Sequence, residues 1–238
     1  MTQSLPLYHT FAFVSIYARI SLMEDKIILV DKPASISSFG VVAKIRSQLK
    51  AEFGHKVKVG HTGTLDPFAT GLLILLSGKM TKKSNDFLKK DKVYEATMKL
   101  GFTSTTGDPE GKIIPYPNAK KPEQSQVESV VKSFIGEIDQ TVPKFSAVKI
   151  NGERAYKLAR QGKDFATPTR KVTIYDIEIL NYHYPELTIR CHVSSGTYIR
   201  TLAEDIGAKL GTGAYLTSLR RTKIDHYSVD DCDIIRLC

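Results

Sequence analysis

The sequence predicts an α+β fold, a large mixed and mostly antiparallel sheet with helices on its flanks. Three features lead to it. Alternating apolar and polar residues mark Lys92–Leu100, Lys171–Tyr182 and Glu186–Ser194 as strands. Apolar residues at helical spacing mark helices between strands, as at Phe39, Val42, Ile45 and Leu49. Asn151-Gly152 is a tight-turn signal for a hairpin inside the chain. Strands interspersed with helices in this way pack as layered α+β architecture.

At 238 residues the chain can bury a full core, as one large domain or one domain with a small insertion. Hydrophobic residues at 42% and charged residues at 25% are the proportions of a globular protein. The formal net charge of +9 favours a polyanionic partner. Cys191, Cys232 and Cys238 are odd in number, scattered and without ligand spacing. They argue against a disulfide framework or zinc site and fit a reducing cytoplasm. The apolar run from Phe11 to Ile20 is too short to span a bilayer, is preceded by no basic residue and is interrupted by Arg19. We expect Met23 to be the natural start and residues 1–22 to be a mis-assigned or disordered extension, leaving one unit over 23–238.

In chain order, Lys26–Val30 predicts a strand ending at Asp31-Lys32-Pro33, and Lys32 reads as structural. Ser37 or Ser38 caps a helix running to Lys50, its stripe of Phe39, Val42, Ile45 and Leu49 facing the core. From Gly60 to Gly71 neither helical nor strand periodicity survives, so this stretch is a loop. It carries one carboxylate, Asp66, between Leu65 and Pro67. The residue before a proline is held extended, so that carboxylate has a defined direction. Gly63 and Gly71 permit backbone geometry, or a close approach of another segment, that a side chain forbids. Leu72–Leu76 is an apolar strand, and Gly78–Lys83 leads a short helix to Lys90. The cations Lys79, Lys82, Lys83, Lys89 and Lys90 read as a solvated helix face.

Lys92–Leu100 places Tyr94, Ala96, Met98 and Leu100 on one strand face, where a tyrosine is by default core. Gly101–Gly111 is turn-rich, with Asp108 a turn former, and Pro122–Phe134 is a helix with Val127, Val130, Val131 and Phe134 inward. Residues 143–171 are different in character. They hold Lys144, Lys149, Arg154, Lys157, Arg160, Lys163, Arg170 and Lys171 against only Glu153 and Asp164, with Phe145, Tyr156 and Phe165 interleaved. A short helix from Glu153 to Gln161 is stopped by Gly162. Basic residues with aromatics suit an irregular RNA surface, where phosphate contacts position and ring faces catch bases. Ser195-Gly196-Thr197-Tyr198-Ile199-Arg200 opens the next helix, with Ile199, Leu202, Ala203, Ile206 and Leu210 inward. Arg200 lies in its first turn, where the helix dipole disfavours a cation and a partner carboxylate would offset the penalty. Within Ala214–Thr222, Leu219 is a core candidate.

The nearly continuous string Gly60-His61-Thr62-Gly63-Thr64-Leu65-Asp66-Pro67 resembles the catalytic motif of the TruB-type tRNA pseudouridine synthases. Lys32–Ser38, Asp91–Tyr94, Pro143–Ala147 with Ala159–Gly162, Gly196–Arg200 and Ala214–Thr222 resemble the family's other motifs, in the same order. One departure is Ser35, which stands where the family usually has glycine and puts the local turn geometry in question. The resemblance implies the pseudouridine synthase fold, a mixed sheet with a central cleft, and an RNA-gripping thumb insertion at 143–171. It implies Asp66 as the catalytic carboxylate, Arg200 as its partner, and Tyr94 as the ring that stacks on the extruded uracil and moves a proton. His61 would hold or replace displaced bases, Leu219 would pack on the target base, and Lys144, Lys149, Arg154 and Arg160 would grip RNA. The thumb is expected to be a loop that orders on RNA. Bacterial relatives usually carry a small C-terminal RNA-binding PUA domain; only 15 residues follow Lys223, so no complete one is expected.

The substrate so implied is tRNA, bound by its T-arm stem-loop, with the uridine at position 55 converted to pseudouridine in the cytoplasm. No cofactor, metal, DNA, membrane or obligatory protein partner is expected, and the enzyme would act as a monomer. Two rival classes share the residues. A tRNA-folding chaperone would use the same basic surface without chemistry. A retaining glycosidase also attacks an anomeric carbon, but needs two carboxylates about 5 Å apart, and the motifs supply one.

Overall fold

The structure is a computed structural model that describes residues 24–232. The expectation for residues 1–22, and Cys238, therefore lie outside the described residues. Strand β1 (Ile27–Lys32) leads through helix α1 (Ser38–Phe53) and β2 (Val59–His61) to β3 (Thr70–Ser77). A 3₁₀ turn and α2 (Ser84–Leu88) precede β4 (Lys92–Leu100), β5 (Phe102–Ser104) and β6 (Ile113–Pro115). Helix α3 (Gln124–Lys132) and β7 (Gly136–Thr141) follow, then β8 (Lys149–Ile150), β9 (Glu153–Arg154) and α4 (Ala155–Arg160). The chain closes with β10 (Thr169–His183), β11 (Glu186–Val193), α5 (Ile199–Lys209), β12 (Ala214–Ile224) and β13 (Tyr227–Ser228).

The large sheet has the order β1-β3-β12-β4-β11-β10-β7, with β2 added on β3 and β13 on β12. Every pairing in it is antiparallel except β3 with β12. The α+β, mixed and mostly antiparallel reading therefore stands. Topology brings β12, late in the chain, between β3 and β4, so residues beside Asp66, Tyr94 and Leu219 converge at mid-sheet. Two apolar layers cover the sheet. One joins Met98, Leu187, Ile189, Leu202, Ile206 and Val127 under α3 and α5. The other joins Val30, Val41, Ile45, Leu49, Leu73 and Leu75 under α1.

Helix α1 starts as its sequence requires, with Ser37 Oγ accepting from Gly40 N. Its buried face is Ser38, Val41, Val42, Ile45 and Leu49, so the stripe shifts by one residue at its start. Phe39, read as core, is 63% exposed, with the Arg46 guanidinium 5.6 Å from its ring centre. Ser38 takes the inward place instead, because its hydroxyl bonds the backbone of Leu65 in the Asp66 loop.

Residues 143–171, expected to form a thumb, carry regular structure of their own. β8 and β9 form a hairpin across Asn151 (φ 48°) and Gly152 (φ 86°), followed by α4. The hairpin fits the Asn151-Gly152 turn signal, and the helix lies within the Glu153–Gln161 stretch expected to be helical. The last residues of that stretch, Arg170 and Lys171, lie in β10, paired with Gln140 and Asp139 of β7. Lys144, Lys149, Arg154 and Arg160 are all exposed.

Candidate active site

The Asp66 loop is stapled at both ends by buried cations that no local pattern reveals. Lys32, fully buried, donates from Nζ to the carbonyls of Pro33, Ile36 and Pro67. Arg221, also fully buried, donates from Nε to Leu72 O (2.8 Å) and from Nη2 to Gly63 O (3.2 Å). Each thus satisfies a carbonyl of the Asp66 loop, Pro67 O for Lys32 and Gly63 O for Arg221. Gly71, at φ 101°, must be glycine, since a Cβ there would lie 2.3 Å from Arg221 O. Ser35 takes φ 66° while its N–H donates to Pro67 O at 2.8 Å. The turn geometry put in question by that serine is kept, in a left-handed conformation that glycine adopts without strain.

Arg200 joins three segments through one guanidinium. Nε lies 3.0 Å from Asp66 Oδ2, Nη1 donates to Thr106 O (2.8 Å) and lies 3.4 Å from Asp108 Oδ2, and Nη2 donates to Phe145 O (2.7 Å). The side chain is 5% exposed. A buried guanidinium needs this complement of acceptors and charge to offset lost hydration. The first turn of α5 is fixed in turn by buried Gln140, which donates to Tyr198 O and accepts from Tyr198 N.

Asp108 escaped the sequence reading as a site residue. It does form the turn, accepting at Oδ1 from Thr106 Oγ1 and Glu110 N. Its other oxygen faces Arg200, so the arginine has two carboxylates rather than one. A Gly-Asp-Pro-Glu-Gly string signals only the turn; the ion pair bridges distant segments and leaves no local mark.

These residues line a cleft of about 310 Å³. Asp66, Tyr94, Arg200 and Leu219 share its wall with Lys92, Ser146, Tyr198 and Arg221. Tyr94 and Arg221 are neighbours across the β4–β12 pair, and both Tyr94 and Leu219 are buried. His61 is not among the lining residues, nor are Lys144, Lys149, Arg154 or Arg160. His61 ends β2, with a buried Nδ1 lacking a hydrogen-bond partner. Burial, helped by the Arg221 charge, lowers its pKa and keeps the ring neutral.

Burial and the Arg200 charge act on Asp66 in opposite directions. Burial pushes the Asp66 carboxyl above the usual carboxylate range; Arg200 opposes this, Asp108 adds to the rise and Lys32 reduces it. Lys32 and Lys92 are both lowered to about 8, chiefly by burial. Glu204, one helical turn beyond Arg200, is raised to about 6, again by burial first. A partly desolvated carboxylate beside a fixed cation is suited to nucleophilic or general-base work.

Comparison with known proteins follows the same lines. Residues 48–199 match the model of the TruB family pseudouridylate synthase N-terminal domain. Residues 200–237 match that of the tRNA pseudouridylate synthase B C-terminal domain. The chain is 42% identical to a tRNA pseudouridine synthase B of Phocaeicola vulgatus, over 90% of this chain and 91% of the relative. Identity is 44% to the namesake of Endomicrobium trichonymphae (87% and 88% covered) and 44% to that of Aquifex aeolicus (87% and 71%). Among solved structures it resembles a Cbf5-Nop10-Gar1 complex, with a TM-score of 0.63 and 31% identity, over 84% of this chain and 49% of that one. An H/ACA RNP bound to a substrate RNA containing 2′-deoxyuridine gives a TM-score of 0.62 at 28% identity, over 86% and 49%. Among the described residues no helix is long and apolar enough to cross a membrane.

Proposed function

The chain belongs to the TruB family of pseudouridylate synthases, and from that premise we propose that it converts the uridine at position 55, in the TΨC arm of tRNA, to pseudouridine. The observation that carries this reading is the 3.0 Å contact of Arg200 Nε with Asp66 Oδ2, in a cleft walled by Tyr94 and Leu219. The folded arm hides the bond that must break, so the target nucleotide is extruded, at a cost of about a few kcal/mol. Tyr94 and Leu219 offer it a ring face and an apolar plate.

Asp66, ionised beside Arg200, breaks the C1′–N1 bond, either as a nucleophile on C1′ or as the base that starts elimination to a glycal. The freed uracil turns within the cleft and C5 bonds to C1′ as the C1′–O bond to Asp66 breaks or, on the elimination route, as C2′ takes back the proton that Asp66 removed. The proton on C5 then leaves, with the Tyr94 oxygen as its acceptor directly or through water, and N1 takes up a proton. Atoms balance without oxidant, reductant or phosphate cleavage, so the reaction calls for no cofactor. The exposed thumb cations Lys144, Lys149, Arg154 and Arg160 would hold the phosphates around the arm, and His61 would steady the bases left behind. We take the enzyme to act as a cytoplasmic monomer with tRNA as its only partner.

The test is incubation with unmodified tRNA followed by carbodiimide mapping of pseudouridine. Product at the T-arm uridine, lost in Asp66→Asn while tRNA binding is retained, is the expected result. Pseudouridine formed equally well by Asp66→Asn, or none formed by the unaltered protein, defeats the assignment. Refolding of tRNA that persists in Asp66→Asn would mark a chaperone activity on the same basic surface.

A further inference from the structure

Resting on the catalytic reading of the Asp66 cleft, we infer that Ser146 hydrogen-bonds the polar edge of the extruded uracil and steadies it during rotation. Ser146 is 5% exposed and lines the cleft with Asp66, Tyr94 and Leu219. Its hydroxyl oxygen is one of two buried side-chain polar atoms without a protein partner among the described residues. A buried hydroxyl left unpaired is destabilising, so an unsatisfied one in a folded protein calls for an explanation. Its place among the residues that line the cleft supplies one: a turn about the Cα–Cβ bond brings the hydroxyl to a polar atom of the base that enters.

Its position is rigid, as a recognition group requires. The preceding carbonyl, Phe145 O, accepts from Arg200 Nη2 at 2.7 Å, and Ser146 O accepts from Tyr156 N at 3.0 Å. Ser146 is therefore tied on one side to the guanidinium that pairs with Asp66 and on the other to the first turn of α4. The functional group also suits the event. As uracil turns, carbonyl oxygens and the N3–H pass the same point on the wall. A hydroxyl can both donate and accept, so it can follow either group, which an ammonium or a backbone carbonyl cannot.

The test is Ser146→Ala, with Ser146→Cys as a near-isosteric second variant, measured beside the unaltered enzyme and Asp66→Asn. Three quantities are needed: thermal stability, Kd for tRNA, and the single-turnover rate of pseudouridine formation. Removing an unpaired hydroxyl leaves Tm unchanged or slightly higher. Phosphate contacts set most of the RNA affinity, so Kd stays within about twofold. The rate falls about five- to twentyfold in Ser146→Ala and less in Ser146→Cys, whose thiol is a weak hydrogen-bonding group. A rate equal to the unaltered enzyme, or a rate loss that tracks a lowered Tm or weakened binding, overturns the inference. An unaltered enzyme that makes no pseudouridine overturns the catalytic reading itself and this inference with it.

Discussion

Asp108→Asn isolates the second carboxylate on Arg200. Asparagine keeps the shape and the Oδ1 acceptor for Thr106 Oγ1 and Glu110 N, so the turn survives. What goes is one negative charge 3.4 Å from Arg200 Nη1. At an effective dielectric constant of about 20, that separation corresponds to about 5 kcal/mol of gross attraction. Stripping a buried ion of its only partner costs about 3–5 kcal/mol. Arg200 retains Asp66 and two carbonyls, so a loss of about 2–3 kcal/mol is expected, and for a chain of this size about 4–12 °C in Tm. The pH dependence of single-turnover pseudouridine formation is the more telling readout. Asp108 is one of the charges that raise the Asp66 carboxyl. Without it Asp66 ionises more easily, and the acid limb of the rate profile moves to lower pH. The plateau rate should fall about ten- to hundredfold as the guanidinium loses one of its anchors. An acid limb that stays in place or moves to higher pH would refute the claim that the two carboxylates are coupled through Arg200.

Glu204→Gln tests the other raised acid. A folded-state pKa of about 6 against an ordinary 4.5 is equivalent to about 2 kcal/mol, fully present below the lower value and lost as pH rises through the higher. Thermal melts between pH 4 and 7 should show that fall in the unaltered protein and a flatter profile in the variant. Gly71→Ala should destabilise by about 3 kcal/mol or more, because its φ of 101° and the 2.3 Å approach to Arg221 O leave no place for a methyl group; a Tm within two or three degrees of normal contradicts this. Ser35→Gly relieves a left-handed serine but adds unfolded-chain entropy, so the net should be neutral to about 1 kcal/mol stabilising in urea titration. A clear loss of stability would mean that the serine side chain is itself needed.

The string from Gly60 to Pro67, the alternation around Tyr94, the first-turn arginine at 200 and the basic run after Pro143 are local features, and each could be read along the chain. Periodicity and turn chemistry likewise sufficed for the fold class, since burial of one face of a strand or helix writes itself into consecutive residues. What one-dimensional order could not contain is the partnership of charges. Asp108 looks like a turn and is also the second anion on Arg200; Arg221 looks like an ordinary surface cation and is fully buried, as is Lys32, whose partners the sequence does not name. Phe39 belongs to the helical stripe yet faces outward because Ser38 is claimed by the Leu65 backbone. In each case the deciding partner lies in another element, brought close when β12 enters the sheet between β3 and β4. The energy that selects the arrangement comes from desolvated charge and unpaired carbonyls meeting across that junction, which exists only once the chain has folded.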